Sequence, residues 1–414
     1  MARRFGKMLG VALLAAVACV GIAKATVPYI PSSPTYSEAS QIVATLNYLI
    51  GLINTNINTQ TLAQFAAPRN LIDNGQMQVQ QRGTGTRTCG TTTIPSTAYS
   101  ADRWGCNVNV TSGAGTLQVI TTNLPAAPLP AFNAAELFYR TSGALAQPQC
   151  VMQEIPTTRV TNMQGQNMVL SAYIQGLALM LAEQTTVNAY VFTGTGSDEG
   201  LQSFTASPAV TPAFTGIAST LTTAWTITSS WARYSYSFTM PTTATEAAVA
   251  LCWTPTTGGT AGATDGFRFT GVELEQSSSG VASGFEFRPY VDELKTAQSY
   301  YAQWSDAPAA TFTLPGTCTE YTSGTAAACE LMLPTTMVKV PAVVVATATS
   351  FGMTKAADGT AGACSTLATV ASSGNANSIK LTCALSETAA VGTMHIMLYA
   401  ATGAANTITA SADF

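Results

Sequence analysis

Asp265-Gly-Phe-Arg-Phe-Thr-Gly-Val-Glu-Leu-Glu275, then the Ser-rich run 277–284, then Phe285-Glu-Phe-Arg-Pro-Tyr-Val-Asp-Glu-Leu294 and Ser299-Tyr300-Tyr301: the rest of the chain is organised around this stretch. Phe267, Phe269 and Val272 lie close to the alternation of a strand, and the Ser/Gly run breaks it. From Asp292 to Tyr301, Leu294, Ala297 and Tyr301 fall at roughly helical spacing. The segment therefore reads as strand, turn, irregular crossing and brief helix. One β-rich region ends here and another begins after it.

Upstream, from Asn70 to about Tyr290, short alternating segments are separated by Gly, Pro and Asn/Ser clusters. Thr116–Ile120, Asn167–Ile174, Val187–Phe192, Arg233–Phe238 and Ala247–Trp253 read as strands. Their spacing suits an antiparallel two-sheet sandwich. Tyr234, Tyr236 and Phe238 share one face and alternate with Ser235 and Ser237, the pattern of a half-buried strand. Pro125–Gln149, with four prolines, reads as a surface loop. Downstream, Gln303–Phe414 is a separate β-rich region in which Met394–Tyr399 is the last strand candidate and Pro341 restricts the strand begun by Val343 and Val345. The predicted class is mainly β, with divisions at 1–25, 26–66, 67–298 and 299–414.

Composition narrows the function. At 414 residues, and with about 150 residues per domain, two or three domains are expected. Charged residues make up 9% of the chain, against about 25% in average globular sequences. A hydrophobic share of 47% still supplies a core, and Thr/Ser/Ala runs with β-branched residues suit strands. The net charge of −4 and the lack of a Lys/Arg cluster beyond the first seven residues count against nucleic acid as partner.

The N-terminus has Arg3, Arg4 and Lys7 before an uncharged run from Met8 to Ala23, then Ala23-Lys-Ala25. That is the layout of a secretory signal; an uncleaved hydrophobic anchor is the other reading. Thr26–Pro34 holds three prolines and reads as a linker. Thr35-Tyr-Ser-Glu38 is a capping box, after which Ile42, Leu46, Leu49 and Ile53 recur at 4-3-4 spacing beside Val43, Ile50 and Ile57. Such a wide apolar face either packs in cis or joins a parallel bundle, most simply a trimer.

Nine cysteines leave eight outside the apolar leader, four per β-rich region. The even count fits disulfides in an oxidising setting, with Cys318–Cys329, Cys364–Cys383 and Cys89–Cys106 as hairpin-like candidates; buried free thiols are the alternative. No Cys-x-x-Cys occurs and His395 is the single histidine, so a Cys/His zinc site is not expected. A histidine-dependent nucleophile would have to use that residue. Asp102, Glu154, Asp198, Glu199, Glu273 and Glu275 are carboxylates from which nothing selects a catalytic pair. A non-enzyme is expected. For sugar recognition, exposed aromatic faces beside polar groups are needed. Trp225 and Trp253 lie beside Thr/Gly-rich segments and read as the surface platforms, whereas Trp104 and Trp231 read as core.

The opening stretch also resembles a module of many tailed-phage virion proteins, among them tail-fibre, baseplate and other surface-exposed structural proteins. Further segments agree in order: Asn70-Leu-Ile-Asp-Asn-Gly-Gln-Met-Gln-Val-Gln-Gln-Arg-Gly-Thr84, Tyr99-Ser-Ala-Asp-Arg-Trp104, Met152-Gln-Glu-Ile155 through Val169-Leu-Ser-Ala-Tyr173, and Ser230-Trp-Ala-Arg-Tyr234. Cys329 to Ala346 is a looser match to the segment that follows the tyrosine pair. The resemblance implies a jelly roll similar to carbohydrate-binding modules, a homotrimer docked to other virion proteins through its N-terminal segment, and contact with host-surface glycan. Secretion by a bacterium is the alternative setting. It also implies a possible structural Ca2+ near Asp265, although Gln76 and Gln78 stand where acids are expected. No other cofactor is expected.

Overall fold

The computed structural model describes residues 69–413, apart from 84, 91–97, 109–114, 127–130, 143–146, 201–211, 213, 218, 257–260, 306–312, 315, 323–325, 346–350, 356–360, 370–374, 386–393 and 401–406. The leader, the linker and the apolar stripe of Ile42, Leu46, Leu49 and Ile53 lie outside the described residues.

Two antiparallel sheets make up the first region. One runs in the order β1 (Arg87–Thr88), β3 (Gly115–Ile120), β4 (Ala135–Arg140), β11 (Gly266–Gln276), β6 (Asn167–Gly176), β9 (Ala232–Thr239). The other runs β2 (Gly105–Val108), β5 (Gln149–Ile155), β10 (Glu246–Trp253), β7 (Thr186–Gly194), β8 (Ser219–Thr226). Strand pairs nest: β7 with β8, β6 with β9, β5 with β10 and β4 with β11. Successive partners lie in alternate sheets, which is the winding of a jelly roll. Phe138, Phe267, Phe269 and Leu170 from one sheet meet Val151, Val191, Val249 and Leu251 from the other in a common core. Short turns α1 (Thr157–Val160) and α2 (Ala178–Glu183) connect strands, and α3 (Tyr290–Gln298) leads out of the sandwich.

Two expectations change here. Within the Pro-rich stretch 125–149 the structure has β4, a central strand whose Phe138 and Glu136 are fully buried. The prolines precede and follow it, so they bound the strand rather than abolish it. The predicted helix starts and stops early: Tyr301 already belongs to the next strand, β12 (Tyr301–Ser305).

After β12 come β13 (Thr313–Leu314), β14 (Gly316–Thr322), β15 (Ala326–Met332), β16 (Ala342–Val345), β17 (Phe351–Lys355), β18 (Ala361–Thr369), β19 (Ser378–Leu385), β20 (Met394–Ala400) and β21 (Thr407–Ser411). β14 pairs with β15, β15 with β19, β19 with β18, β18 with β17, β17 with β20, and β20 with β14. The ring closes, giving a six-stranded antiparallel barrel. In β15, Ala327, Cys329 and Leu331 point into it and alternate with exposed Ala328, Glu330 and Met332. Beside the barrel, β12, β21 and β16 form a small sheet, with Pro341 placed just before its edge strand, where a missing N–H costs no ladder bond.

Four disulfides tie the two regions internally. Cys89 joins Cys106 and Cys150 joins Cys252 in the sandwich; Cys318 joins Cys329 and Cys364 joins Cys383 in the barrel. Both barrel pairs are buried in its core.

Candidate functional site

The residues of the opening stretch and its companion segments converge on one another. Asn74, at φ 50°, is a hub: its side-chain amide donates to the carbonyls of Val79 and Asp102, and its Oδ1 accepts from Val79 N–H. Its own N–H donates to Glu293 at 2.6 Å, and its carbonyl accepts from the Trp104 indole. Gly75 follows because the chain here runs against β11. A Cβ at that position would lie 2.2 Å from the Val272 carbonyl oxygen, which no side chain allows.

Around this hub buried and half-buried arginines are matched to carboxylates and aromatic rings. Arg103 lies 3.6 Å from the Tyr300 ring centroid, donates to the Glu154 carbonyl and reaches Asp73 and Asp413. Arg82 lies 3.6 Å from the Tyr301 ring and bonds Asp102 and Asp413. Burial lowers the Arg82 guanidinium, but Asp413 and Asp102 outweigh it and hold it above its ordinary value. Asp102 is pushed up to about 6 by burial, against the pull of Arg82 and Gln81. Arg69 and Arg233 share Glu273, Arg159 holds Asp73 at 2.6 Å, and Arg288 pairs with Glu293. These charges fix the sandwich to the barrel region through Tyr300, Tyr301 and Asp413. Glu273, Glu275 and Asp102 are thus structural. Asp413 and Arg159 carried no signal in the sequence, since each is a lone charge in an unpatterned segment.

Glu154 is the exception among these acids. Both of its carboxylate oxygens are buried without a hydrogen-bond partner among the described residues. Burial pushes it up to about 9; Arg103 and Lys339 pull the other way, and Asp198 and Glu246 reinforce the rise. It is therefore a neutral acid at pH 7. A folded-state value above the unfolded one means that its contribution to stability is complete below about pH 4.3 and is lost as pH rises through 9. The urea midpoint of the native protein should fall between pH 7 and 9.5, and Glu154→Gln should flatten that fall. Equal falls in both proteins would remove Glu154 as its cause.

Calcium does not fit the place the resemblance implied. Asp265 is fully buried and bonded to Arg140, whose guanidinium supplies the positive charge there. The Gln76 and Gln78 amides donate to the Arg288 carbonyl. No cluster of three or more His, Cys, Asp or Glu suited to a metal occurs among the described residues.

The tryptophans sort differently from expectation. Trp225 is 5% exposed, stacks on Tyr234 and donates its indole N–H to the Ser235 carbonyl. Trp253 is fully buried in the sandwich core. Both point inward because each falls on the core-facing parity of its strand, with Thr223 or Leu251 as in-phase neighbour, so neither is a surface platform. Trp104 is buried as expected, packed edge-on against Phe269. Trp231, read as core, is half-buried, with its indole N–H fixed to the Asn123 carbonyl at 2.8 Å.

Trp231 stands at the outer face of the six-stranded sheet. Ala232 pairs with Ile174, so one residue earlier Trp231 falls opposite Gln175. Gln175 in turn pairs with Arg268 on β11. The Gln175 amide nitrogen donates to the Ser229 carbonyl, and its oxygen accepts from Arg268 Nη1 at 2.9 Å. Half-buried Tyr173, one step along β6 on the same face, meets Phe132 edge-on at 5.3 Å. Phe132 packs in turn on Phe285 and Phe287. Gly271, at φ 58°, lets this cluster sit close to β11, since a Cβ would come 2.5 Å from the Phe132 ring. The face thus carries a fixed indole, a fixed amide, a guanidinium and a phenol ring side by side. Such a row offers a flat apolar ring with hydrogen-bond donors and acceptors beside it.

No sequence family matches the chain, and no curated protein matches it. Similar solved structures include the enzymatically active domain of bacteriophage CBA120 tailspike protein 4, at 12% identity and TM-score 0.31 over 50% of this chain and 22% of that one. The carbohydrate-binding module TmCBM61, solved with β-1,4-galactotriose, is 11% identical at TM-score 0.24 over 42% of this chain and 88% of that one. A Stig cyclase from Fischerella sp. TAU is 11% identical at TM-score 0.30 over 50% and 96%. The chain spans less than a quarter of the tailspike domain's length.

Proposed function

We propose that the chain is a non-catalytic extracellular binding protein, a fibre, spike or decoration protein of a tailed-phage particle, that contacts host-surface glycan through the outer face of its six-stranded sheet. The observation that carries this reading is the row Trp231, Gln175 and Arg268 with Tyr173 beside it, half-exposed on the outer face of the sheet. The motif acids Asp102, Glu273 and Glu293 are meanwhile spent on the arginines Arg82, Arg69 and Arg288. Four disulfides fit an oxidising, extracellular setting.

Trp231→Ala tests it on an array of bacterial surface oligosaccharides. Glycan binding should fall at least tenfold, while the melting temperature stays within about 2 °C, because the indole is half out of the core. Retained binding would exclude this face. The second reading, a secreted or surface-anchored bacterial carbohydrate-binding protein, is favoured by the charged-apolar-small order of residues 3–25. Native mass together with the N-terminal peptide separates the two: a trimer beginning at Met1 or Ala2 fits the particle, and a monomer beginning at Thr26 fits secretion.

A further inference from the structure

Among the described residues, nine arginines have determined surroundings, and seven of them form ion pairs with carboxylates. Arg87 is turned onto the carbonyls of Arg82 and Gly83. Arg268 alone stands in mid-sheet with no acid beside it. Its one described side-chain partner is the Gln175 oxygen, and its Nε is buried with no partner. Burial without a counter-charge pulls its guanidinium below its ordinary value. A guanidinium offers five N–H donors in a planar fork that matches a carboxylate or sulfate. Leaving the buried Nε unpaired is costly, and the remaining N–H donors of this half-buried fork can take an outside acceptor.

The geometry points to an acidic sugar as the ligand of this face, its carboxylate or sulfate oxygens received by Arg268 while the neighbouring ring lies on Trp231. The assignment rests on the glycan-contact reading above. The placement suits it: Trp231, Gln175 and Arg268 occupy three adjacent positions across the sheet, so the backbone positions that carry the indole and the guanidinium stand about 10 Å apart, two strand spacings. Adjacent units of one oligosaccharide bridge that distance. Gln175 lies between them with its amide nitrogen held by Ser229, which turns its oxygen toward Arg268. The nearby Arg233 is neutralised by Glu273 and does not compete for the anion.

Titration calorimetry on the full chain tests this with trigalacturonate, a sulfated galactan oligomer of similar length and neutral galactotriose, on native protein, Arg268→Gln and Trp231→Ala. Arg268→Gln keeps a hydrogen-bonding side chain opposite Gln175, and its fold is checked by melting temperature. Native protein should bind one of the two acidic oligomers about ten- to a hundred-fold more tightly than galactotriose, as a charge-assisted hydrogen-bond pair implies; which of them wins distinguishes carboxylate from sulfate. Arg268→Gln should erase that preference, so that the acidic oligomers bind it no more tightly than galactotriose does. No acid preference in the native protein, or a preference that survives Arg268→Gln, overturns the acidic-sugar assignment and leaves the Trp231 reading standing. Acid binding that is lost in Arg268→Gln yet untouched in Trp231→Ala upholds Arg268 and overturns the stacking platform. No binding of any oligomer counts against both.

Discussion

Arg103→Met should lower the stability of the chain by about 3–5 kcal/mol, the range for removing one member of a buried ion pair. The change leaves Asp73 and Asp413 without one of their cations, the Glu154 carbonyl without its donor and the Tyr300 ring without its guanidinium. Arg103→Lys should recover little, because an ammonium has neither the flat face that stacks on Tyr300 nor the fork that reaches several acceptors. Urea unfolding of both variants measures it. A shift below about 1 kcal/mol for Arg103→Met would mean that the cluster adjusts around the loss and that the two regions are held together elsewhere.

Removing the two barrel disulfides should unfold the barrel while the sandwich persists. The sandwich core is broad and aromatic, with Trp104, Phe138, Phe267 and Trp253 at its centre. The barrel core is smaller, and four of its buried apolar residues are the half-cystines themselves. Separations of 11 and 19 residues correspond to about 3 kcal/mol for each bond in chain-entropy terms. The four-fold Cys→Ser variant at Cys318, Cys329, Cys364 and Cys383 also places four hydroxyls in that core. Hydrogen exchange should then show unprotected amides in β15 and β19, with β6 and β11 still protected. Uniform protection across both regions would refute the separation.

The strands of the sandwich were legible because their faces alternate: Tyr234, Tyr236 and Phe238 on β9 point inward as their spacing requires. β4 was not, since flanking prolines masked a strand only six residues long. Parity decided the tryptophans. Thr/Gly-rich flanks suggested exposure for Trp225 and Trp253, yet a side chain's direction depends on which residues of its strand face the core, and local composition does not carry that. Trp231 precedes its strand by one residue, so its exposure follows from where β9 begins. Barrel closure was invisible too, because the pairing of β17 with β20 joins segments about forty residues apart with no local signal. The motif charges gave no catalytic pair in the sequence, and their partners Asp413 and Arg159 were not legible at all.

The concentric pairing of the jelly roll sets an order of assembly. The hairpin of β7 and β8 is the innermost pair, and each further pair, β6 with β9, β5 with β10 and β4 with β11, encloses the previous one. Once the inner pair has formed, the next has a shorter effective loop to close, so the entropic cost falls step by step outward. β11 completes the outermost pair, and Gly75 and Asn70 seat against it only then. A nascent chain therefore exposes its sheet edges until residues beyond 276 have left the ribosome. Folding in the cell should be slow and late, as expected for a topology of distant contacts, and sensitive to chaperone supply.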